Sequence, residues 1–145
     1  MKILVCGGAG FIGSAFIRNY LNNNPKDKII NLDSLTIGSN LKNLKKIEQN
    51  KNYQFIKGDI KNQKVVNDLV RDVDTIINFA AESHVDRSIA NPKPFIETNI
   101  LGTYSLLEAT KKYDSLFIHV STDEVYGDAE NEDSFTEKSI INPSN

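Results

Sequence analysis

The first 13 residues constrain the fold of this chain more than any other part of it. A short apolar run at residues 3–6 leads directly into the glycine-rich segment GGAGFIG at residues 7–13, and residues 11–21 then carry apolar side chains at the spacing of one helix face. Glycines let a tight turn approach a phosphate closely, and the start of a helix offers N–H groups without partners inside the helix. A strand, a glycine turn and a helix in this order therefore predict a dinucleotide-binding fold.

The remainder of the chain continues the alternation of strand and helix. Its 145 residues suit one domain. Five apolar runs have the length of strands covered on both faces, at residues 3–6, 29–32, 53–56, 75–80 and 116–120. Helical spacing is found at residues 11–21, 63–70 and 94–113, the last with Pro94 at its start. Right-handed crossovers then predict a Rossmann-type, doubly wound parallel α/β sheet with the strand order 3-2-1-4-5.

Composition argues against several classes of partner. The formal net charge is −2, so neither a nucleic acid nor a membrane surface would be attracted overall. The first apolar run is too short for a signal peptide or a membrane-spanning helix. The single cysteine, Cys6, cannot form an internal disulfide, and we expect it to be a small buried residue without a redox task. A cytoplasmic location is the expectation.

Asp33 strengthens the prediction of a dinucleotide site. It closes the second apolar run, twenty residues after Gly13. A carboxylate at this point of the fold can accept hydrogen bonds from the ribose hydroxyls of the adenosine. The same negative charge would repel a 2′-phosphate, so the sequence favours NAD over NADP.

The spacing of Gly7, Gly10 and Gly13 in steps of three resembles the short-chain dehydrogenases/reductases, and GFIG resembles their extended branch of nucleotide-sugar enzymes. Four stretches narrow the resemblance to the dTDP-glucose 4,6-dehydratases. They are DSLTIGSN at residues 33–40, AESHVDRS at 81–88, ETNILGT at 97–103 and STDEVYGD at 121–128. The chain is similar to this family over nearly its whole length, which implies NAD as the cofactor.

The resemblance implies a cofactor shell along the ends of the strands. Asp59 and Ile60 match the family's contact with the adenine, and residues 79–81 match its backbone contact with the cofactor. Ser83 and Thr122 match residues that touch the sugar, and no metal site is expected. The full set of expected cofactor residues is Gly7, Gly10, Phe11, Ile12, Gly13, Asp33, Ser34, Leu35, Thr36, Asp59, Ile60, Phe79, Ala80, Ala81 and Thr98.

The reaction implied by the resemblance is the loss of water across C5 and C6 of dTDP-glucose, giving dTDP-4-keto-6-deoxyglucose. NAD first oxidises C4 to a ketone, which acidifies the C5 proton, and the hydride later returns to C6. By resemblance, Glu124 is the general base at C5, Asp123 the general acid at the C6 hydroxyl, and Thr122 a hydrogen-bond partner of the C4 oxygen. In a continuing strand the two acids would point to opposite faces, so both reach one ligand only if the strand ends near Thr122.

Other polar residues near these motifs receive no chemical step. His84 and Asp86 lie in the second stretch without an assigned role, and Arg87 fits an ion pair that holds a loop equally well. His119, inside the fifth predicted strand, is expected to be packed or hydrogen-bonded. Taken alone, residues 122–124 also fit the start of a helix, since threonine is a good N-cap and acids suit the first turn.

Oxidation at C4 in this family relies on a Tyr-x-x-x-Lys pair on a helix. Tyr53 and Lys57 have this spacing, but they lie in the third predicted strand, where residues four apart are about 13 Å from each other rather than about 6 Å as on a helix. The other four tyrosines have no lysine four residues on. We therefore expect residues 1–145 to be the partial NAD-binding domain of a longer enzyme, and this fragment alone to be inactive.

Two other interpretations stay open. An epimerase, a decarboxylase or a GDP-mannose dehydratase of the extended branch would share the glycine turn and Asp33, although those relatives usually lack an acid at the position of Asp123. A non-catalytic NAD-binding module would need no acid pair at the edge of the sheet. The family resemblance also implies a homodimer in which the helix at 94–113 takes part.

Overall fold

The computed structural model describes residues 1–129 and 134–144, which form a parallel sheet flanked by helices. The strands are β1 (Lys2–Cys6), β2 (Lys28–Asp33), β3 (Tyr53–Lys57), β4 (Thr75–Asn78) and β5 (Leu116–His119). The α-helices are α1 (Phe11–Asn23), α2 (Gln63–Val70), α3 (Val85–Ala90), α4 (Lys93–Phe95) and α5 (Thr103–Tyr113). A π-helical segment, Ile96–Gly102, joins α4 to α5, and 3₁₀ turns span Leu41–Ile47 and Asp123–Tyr126.

The strands pair in the order β3-β2-β1-β4-β5, and every pair is parallel, which confirms the predicted topology. β1 is the centre of the sheet, with Ile3 opposite Ile29 on one side and Thr75 on the other. Because all strands run in the same direction, the loops that follow them meet at one edge, the carboxyl edge of the sheet. Ligands of doubly wound folds bind at this edge.

The core has two layers because side chains alternate along each strand. Leu4 and Cys6 of β1 pack into the layer that α2 and α5 cover. Ile3 and Val5 pack into the layer that α1 and the turn Leu41–Ile47 cover. Burial raises the pKa of the Cys6 thiol, in keeping with the prediction of a packed residue. Removal of this apolar surface from water is the main force that holds the helices on the sheet.

The expectation that every strand is covered on both faces is wrong for the two edge strands. β5 exposes Leu116 and Ile118 at 60% and 43%, and Val120 just after it is 41% exposed, because no element within residues 1–129 and 134–144 packs over that face. β3 is partly exposed along its length. The three inner strands are buried almost throughout, as predicted.

The predicted helix at 94–113 is present but is not uniform. α4, the π-helical segment and α5 follow one another without a break, and the run begins one residue early, at Lys93. π-Helical turns often occur at functional sites, and this one faces the carboxyl edge through Thr98 and Asn99. The turn Leu41–Ile47 and helix α3 were not predicted, because each is too short to show a helical period. No helix in the described part of the chain is long and apolar enough to cross a membrane.

Candidate functional site

The glycine turn after β1 leaves no room for side chains at two of its positions. Gly7 has a φ of 75°, and a Cβ there would lie 2.6 Å from the backbone nitrogen of Ala80. A Cβ on Gly13 would overlap the carbonyl oxygen of Gly7 and lie 2.9 Å from Gly8 Cα. Gly10 begins α1 without a side-chain cap, so the first N–H groups of the helix are offered to a ligand. A glycine turn before an uncapped helix start is typical of anion-binding sites.

Asp33 ends β2 beside this turn and is only 4% exposed. Its Oδ2 accepts a hydrogen bond from the backbone nitrogen of Ala9 at 2.8 Å. Its Oδ1 accepts from the nitrogen of Leu35 at 2.8 Å and from Ser39 Oγ at 2.9 Å. The carboxylate therefore joins the glycine turn to the loop after β2, in addition to lining the pocket between them.

Leu35 stands apart from the other expected cofactor residues, because its side chain does not line the cleft. It packs against the core layer under α1 instead. Its backbone has a φ of 58°, which directs the N–H to Asp33. Leu35 thus contributes to the site through its backbone. The loop continues into a turn closed by Ser39 N and Thr36 O at 3.1 Å, with Gly38 at a φ of 95°.

The carboxyl edge contains a cleft made of two adjoining pockets that share Gly7, Gly10 and residues 79–82 as a common wall. The smaller, of about 260 Å³, lies over β2 and β3, and the larger, of about 760 Å³, lies towards β5. Of the expected residues, the smaller pocket is also lined by Asp33, Ser34, Thr36, Asp59, Ile60 and Thr98. The larger is also lined by Phe11, Ile12, Gly13, Ser83, Thr122, Asp123 and Glu124. The structure therefore brings all the expected residues except the Leu35 side chain to one cleft.

The acid pair lies where the chain leaves β5. The strand ends at His119, and a 3₁₀ turn begins at Asp123, so the backbone does turn at the point where the sequence required it. Thr122 Oγ1 accepts from the nitrogen of Glu124 at 3.3 Å and lies 3.3 Å from Asp123 Oδ1. Thr122 is thus the N-cap of the turn as well as a pocket residue, so the helix-start interpretation is confirmed and is compatible with a place in the site. Both carboxylates line the larger pocket.

The common wall of the cleft is held by residues that the sequence analysis did not assign. Asn99, on the π-helical segment, accepts from Glu82 N at 2.9 Å through Oδ1 and donates to Glu82 O at 2.8 Å through Nδ2. The Glu82 carboxylate pairs with Arg87 at 3.2 Å, which confirms the ion-pair interpretation of Arg87. Asn99 could have been singled out from the sequence as a residue with a specific contact, because asparagine is unfavourable in the middle of a helix.

Asn78, the last residue of β4, contacts both the loop that follows its own strand and the end of β5. It is fully buried, and its Oδ1 accepts from Ala80 N at 3.0 Å. Its Nδ2 is 3.2 Å from Nδ1 of His119, whose ring stacks on Phe117 at 6.0 Å between centroids. His119 is therefore hydrogen-bonded, as predicted, but it is exposed at the end of β5 and lines the larger pocket. One amide thus links the wall at residues 79–82 to the end of β5, four residues before the acid pair.

Tyr53 and Lys57 lie in β3, which confirms that their spacing does not form a helical pair. The Tyr53 hydroxyl accepts from Asn31 Nδ2 at 2.9 Å, and burial raises the pKa of Tyr53. A catalytic phenolate needs the opposite shift. Within the described residues, no group of three or more His, Cys, Asp or Glu side chains is arranged to hold a metal ion.

Comparison with known proteins decides between the families that share this architecture. A family model described as GDP-mannose 4,6 dehydratase matches residues 4–145. The chain belongs to this dehydratase family. Among the curated proteins similar to this chain are the low-salt glycan biosynthesis protein Agl12 of Haloferax volcanii, 48% identical over 100% of the chain, and a dTDP-glucose 4,6-dehydratase of Escherichia coli, 47% identical over 97% of it. The predicted resemblance to dTDP-glucose 4,6-dehydratases is confirmed.

Solved structures support the same family. A dTDP-glucose 4,6-dehydratase from Bacillus anthracis, in complex with NAD, is 44% identical over 100% of this chain, with a TM-score of 0.89. The Streptomyces venezuelae enzyme DesIV, with NAD and TYD bound, is 45% identical over 99% of it, with a TM-score of 0.92. The chain spans less than half of these proteins: 46% of Agl12, 42% of the Escherichia coli enzyme, and 45% and 46% of the two solved chains.

Proposed function

We propose that residues 1–145 form the NAD-binding domain of a dTDP-glucose 4,6-dehydratase. The observation that carries the proposal is the cleft at the carboxyl edge, which has a buried carboxylate, Asp33, at one end and the acid pair Asp123 and Glu124 at the other. A non-catalytic module would have no use for the acid pair. The names of the relatives favour dTDP-glucose over a GDP-sugar as the substrate.

The residues of the cleft fit NAD. The backbone packs closely around Gly7 and Gly13 and so fixes the glycine turn, and α1 presents its uncapped start beside this turn, where a pyrophosphate would lie. Asp33 would accept from the adenosine ribose, while Asp59 and Ile60 line the end of the smaller pocket that suits the adenine. When bound, NAD supplies a hydride acceptor for C4 and returns the hydride to C6.

The residues after β5 then divide the proton transfers. Glu124 would take the proton from C5, and Asp123 would protonate the departing C6 hydroxyl, which is general acid–base catalysis by two neighbouring carboxyl groups. Thr122 accepts from the Glu124 nitrogen, so its own O–H is free to turn from Asp123 to the C4 oxygen of the sugar. Ser83, on the opposite wall of the larger pocket, would hold the sugar.

Cofactor binding tests the first half of the proposal. We expect the 145-residue chain to bind NAD in a calorimetric titration, and Asp33→Ala to lower the affinity about 10- to 100-fold, since hydrogen bonds to a charged group contribute about 1.5–3 kcal/mol. Asp74→Ala is the matched control, because Asp74 also accepts from a backbone nitrogen, that of Lys2 at 2.7 Å, but outside the cleft. Equal loss in both variants would contradict a direct role for Asp33.

Water loss tests the second half. We expect no loss of water from dTDP-glucose when this chain is incubated with NAD, because its tyrosine–lysine spacing at Tyr53 and Lys57 lies in a strand, away from the acid pair. Mass spectrometry of the sugar nucleotide is the measurement. A dehydrated product would show that another group of this chain deprotonates the C4 hydroxyl, and would overturn the expectation that the chain alone is inactive.

The remaining expectations concern assembly and location. The π-helical segment and α5 expose a row of apolar side chains, Ile96, Ile100, Leu101, Tyr104 and Leu107. This row supports the proposal that the enzyme forms a homodimer with the helical run at 94–113 in the interface. We also propose a cytoplasmic location, without nucleic-acid or membrane partners.

A further inference from the structure

The hydroxyl group of Ser39 lies in the adenosine end of the cleft and competes for the acceptor positions of Asp33. It lines the smaller pocket, and Oγ donates to Asp33 Oδ1 at 2.9 Å. The same Oδ1 accepts from Leu35 N, and Oδ2 accepts from Ala9 N. A carboxylate has about four acceptor positions, two on each oxygen. Three are occupied, so one position, on Oδ2, is open.

A ribose has two neighbouring hydroxyl groups, at C2′ and C3′, and needs two acceptor positions if both are to donate to one carboxylate. Of the three donors on Asp33, the N–H groups of Ala9 and Leu35 belong to the backbone of two turns and cannot leave without refolding them. The Ser39 hydroxyl belongs to a side chain with one rotatable bond. It is therefore the donor that can give way.

We propose that Ser39 is an internal competitor of the ribose: its hydroxyl occupies the second acceptor position on Asp33 and is displaced by nucleotides that carry both ribose hydroxyls. Ser39 then sets the affinity of the site for the adenosine half of its cofactor. This inference rests on the proposed NAD site and concerns the same pocket.

The displacement requires no movement of the main chain. The loop is held by backbone hydrogen bonds from Ser39 N to Thr36 O at 3.1 Å and from Asn40 N to Ala9 O at 2.9 Å, and both survive rotation of the Ser39 side chain. Gly38, at a φ of 95°, keeps the turn closed. The loss on displacement is a single hydrogen bond from a hydroxyl to a carboxylate, so removal of that hydroxyl should favour the ligand about 10-fold.

Calorimetric titration of three nucleotides tests the proposal: NAD, ADP and 2′,3′-dideoxy-ADP, which lacks both ribose hydroxyls. We expect Ser39→Ala to bind NAD and ADP about 10-fold more tightly than the unaltered chain, and to bind the dideoxy nucleotide with unchanged affinity. Ser39→Thr, which keeps the hydroxyl, is the matched control and should behave like the unaltered chain. Thermal unfolding of each variant without ligand shows whether the fold is retained.

The possible results distinguish a failure of this inference from a failure of the proposed function. Unchanged or weaker binding of NAD and ADP by Ser39→Ala would overturn the competition and make Ser39 neutral or a direct ribose partner. An equal gain for the dideoxy nucleotide would overturn it as well, because the gain would then come from pocket shape. If the unaltered chain binds neither NAD nor ADP, the proposed cofactor site is wrong and the inference falls with it.

Discussion

Replacing Gly13 by alanine is expected to destabilise the domain by about 3 kcal/mol or more and to abolish NAD binding. The added Cβ would overlap the Gly7 carbonyl oxygen and approach Gly8 Cα to 2.9 Å, and both are backbone atoms of the glycine turn. Overpacking that side-chain rotation cannot relieve costs about 1–3 kcal/mol and sometimes more. At an exposed helix position, replacing glycine by alanine stabilises a protein by about 1 kcal/mol. A loss of stability at Gly13 would therefore itself show that the added Cβ clashes with the glycine turn. Urea unfolding and NAD titration are the measurements.

Gly38→Ala is the control that separates a clash from backbone strain. Gly38 has a φ of 95°, but a Cβ there would have no neighbour within 4 Å. Only the strain of the left-handed conformation remains, so we expect a loss of about 1 kcal/mol. A Gly13→Ala variant as stable as the unaltered chain would show that α1 can move away from the glycine turn and that this turn is not rigid.

The second large effect is expected for Glu124→Gln in a complete enzyme. We suggest joining this chain to the carboxyl-terminal half of the Escherichia coli dTDP-glucose 4,6-dehydratase, which is 47% identical to it over the shared region. The amide keeps the size of the side chain and removes its ability to accept a proton. Loss of a positioned general base lowers kcat about 10²- to 10⁴-fold. Formation of the 4-keto-6-deoxy sugar measures the rate.

Exchange of the C5 hydrogen with deuterated solvent assigns the two acids separately. Glu124→Gln should lose this exchange, whereas Asp123→Asn should keep it and lose only the departure of the C6 hydroxyl. The matched control is Glu137→Gln, since Glu137 is exposed and lies outside both pockets. The opposite pattern of exchange would reverse the assigned roles of Asp123 and Glu124.

The topology could be predicted from the sequence because each inner strand is a dense apolar run. Residues 3–6 and 29–32 are buried on both faces, so their composition reflects their place in the sheet. The edge strand β5 has a similar composition but is exposed on one face within residues 1–129 and 134–144, and composition alone could not reveal this. The π-helical segment was missed for a related reason, since its side chains show the same apolar content as an ordinary helix.

The cleft was predictable where a residue type is required by its backbone or its charge. Gly7, Gly13 and Asp33 belong to this group, and their geometry agrees with the expectation. Residues whose role depends on a contact with a distant part of the chain could not be predicted from the sequence. Asn99 matters because Glu82 lies opposite it, and Ser39 because Asp33 has only four acceptor positions. Such contacts become visible only when the loops are placed beside one another.

The central position of β1 determines when this cleft can exist during folding. Its neighbour on one side, β2, follows soon after it, but the wall at residues 79–82 arrives with β4, and the contact of Lys2 with Asp74 joins residues 72 positions apart. Contacts so distant in sequence form slowly. A nascent chain could therefore complete the hydrogen bonds around Asp33 while its binding site is still open on one side. A nucleotide that arrives after β4 has joined the sheet would bind only the assembled state. Its binding would stabilise that state by mass action and so favour the last step of folding.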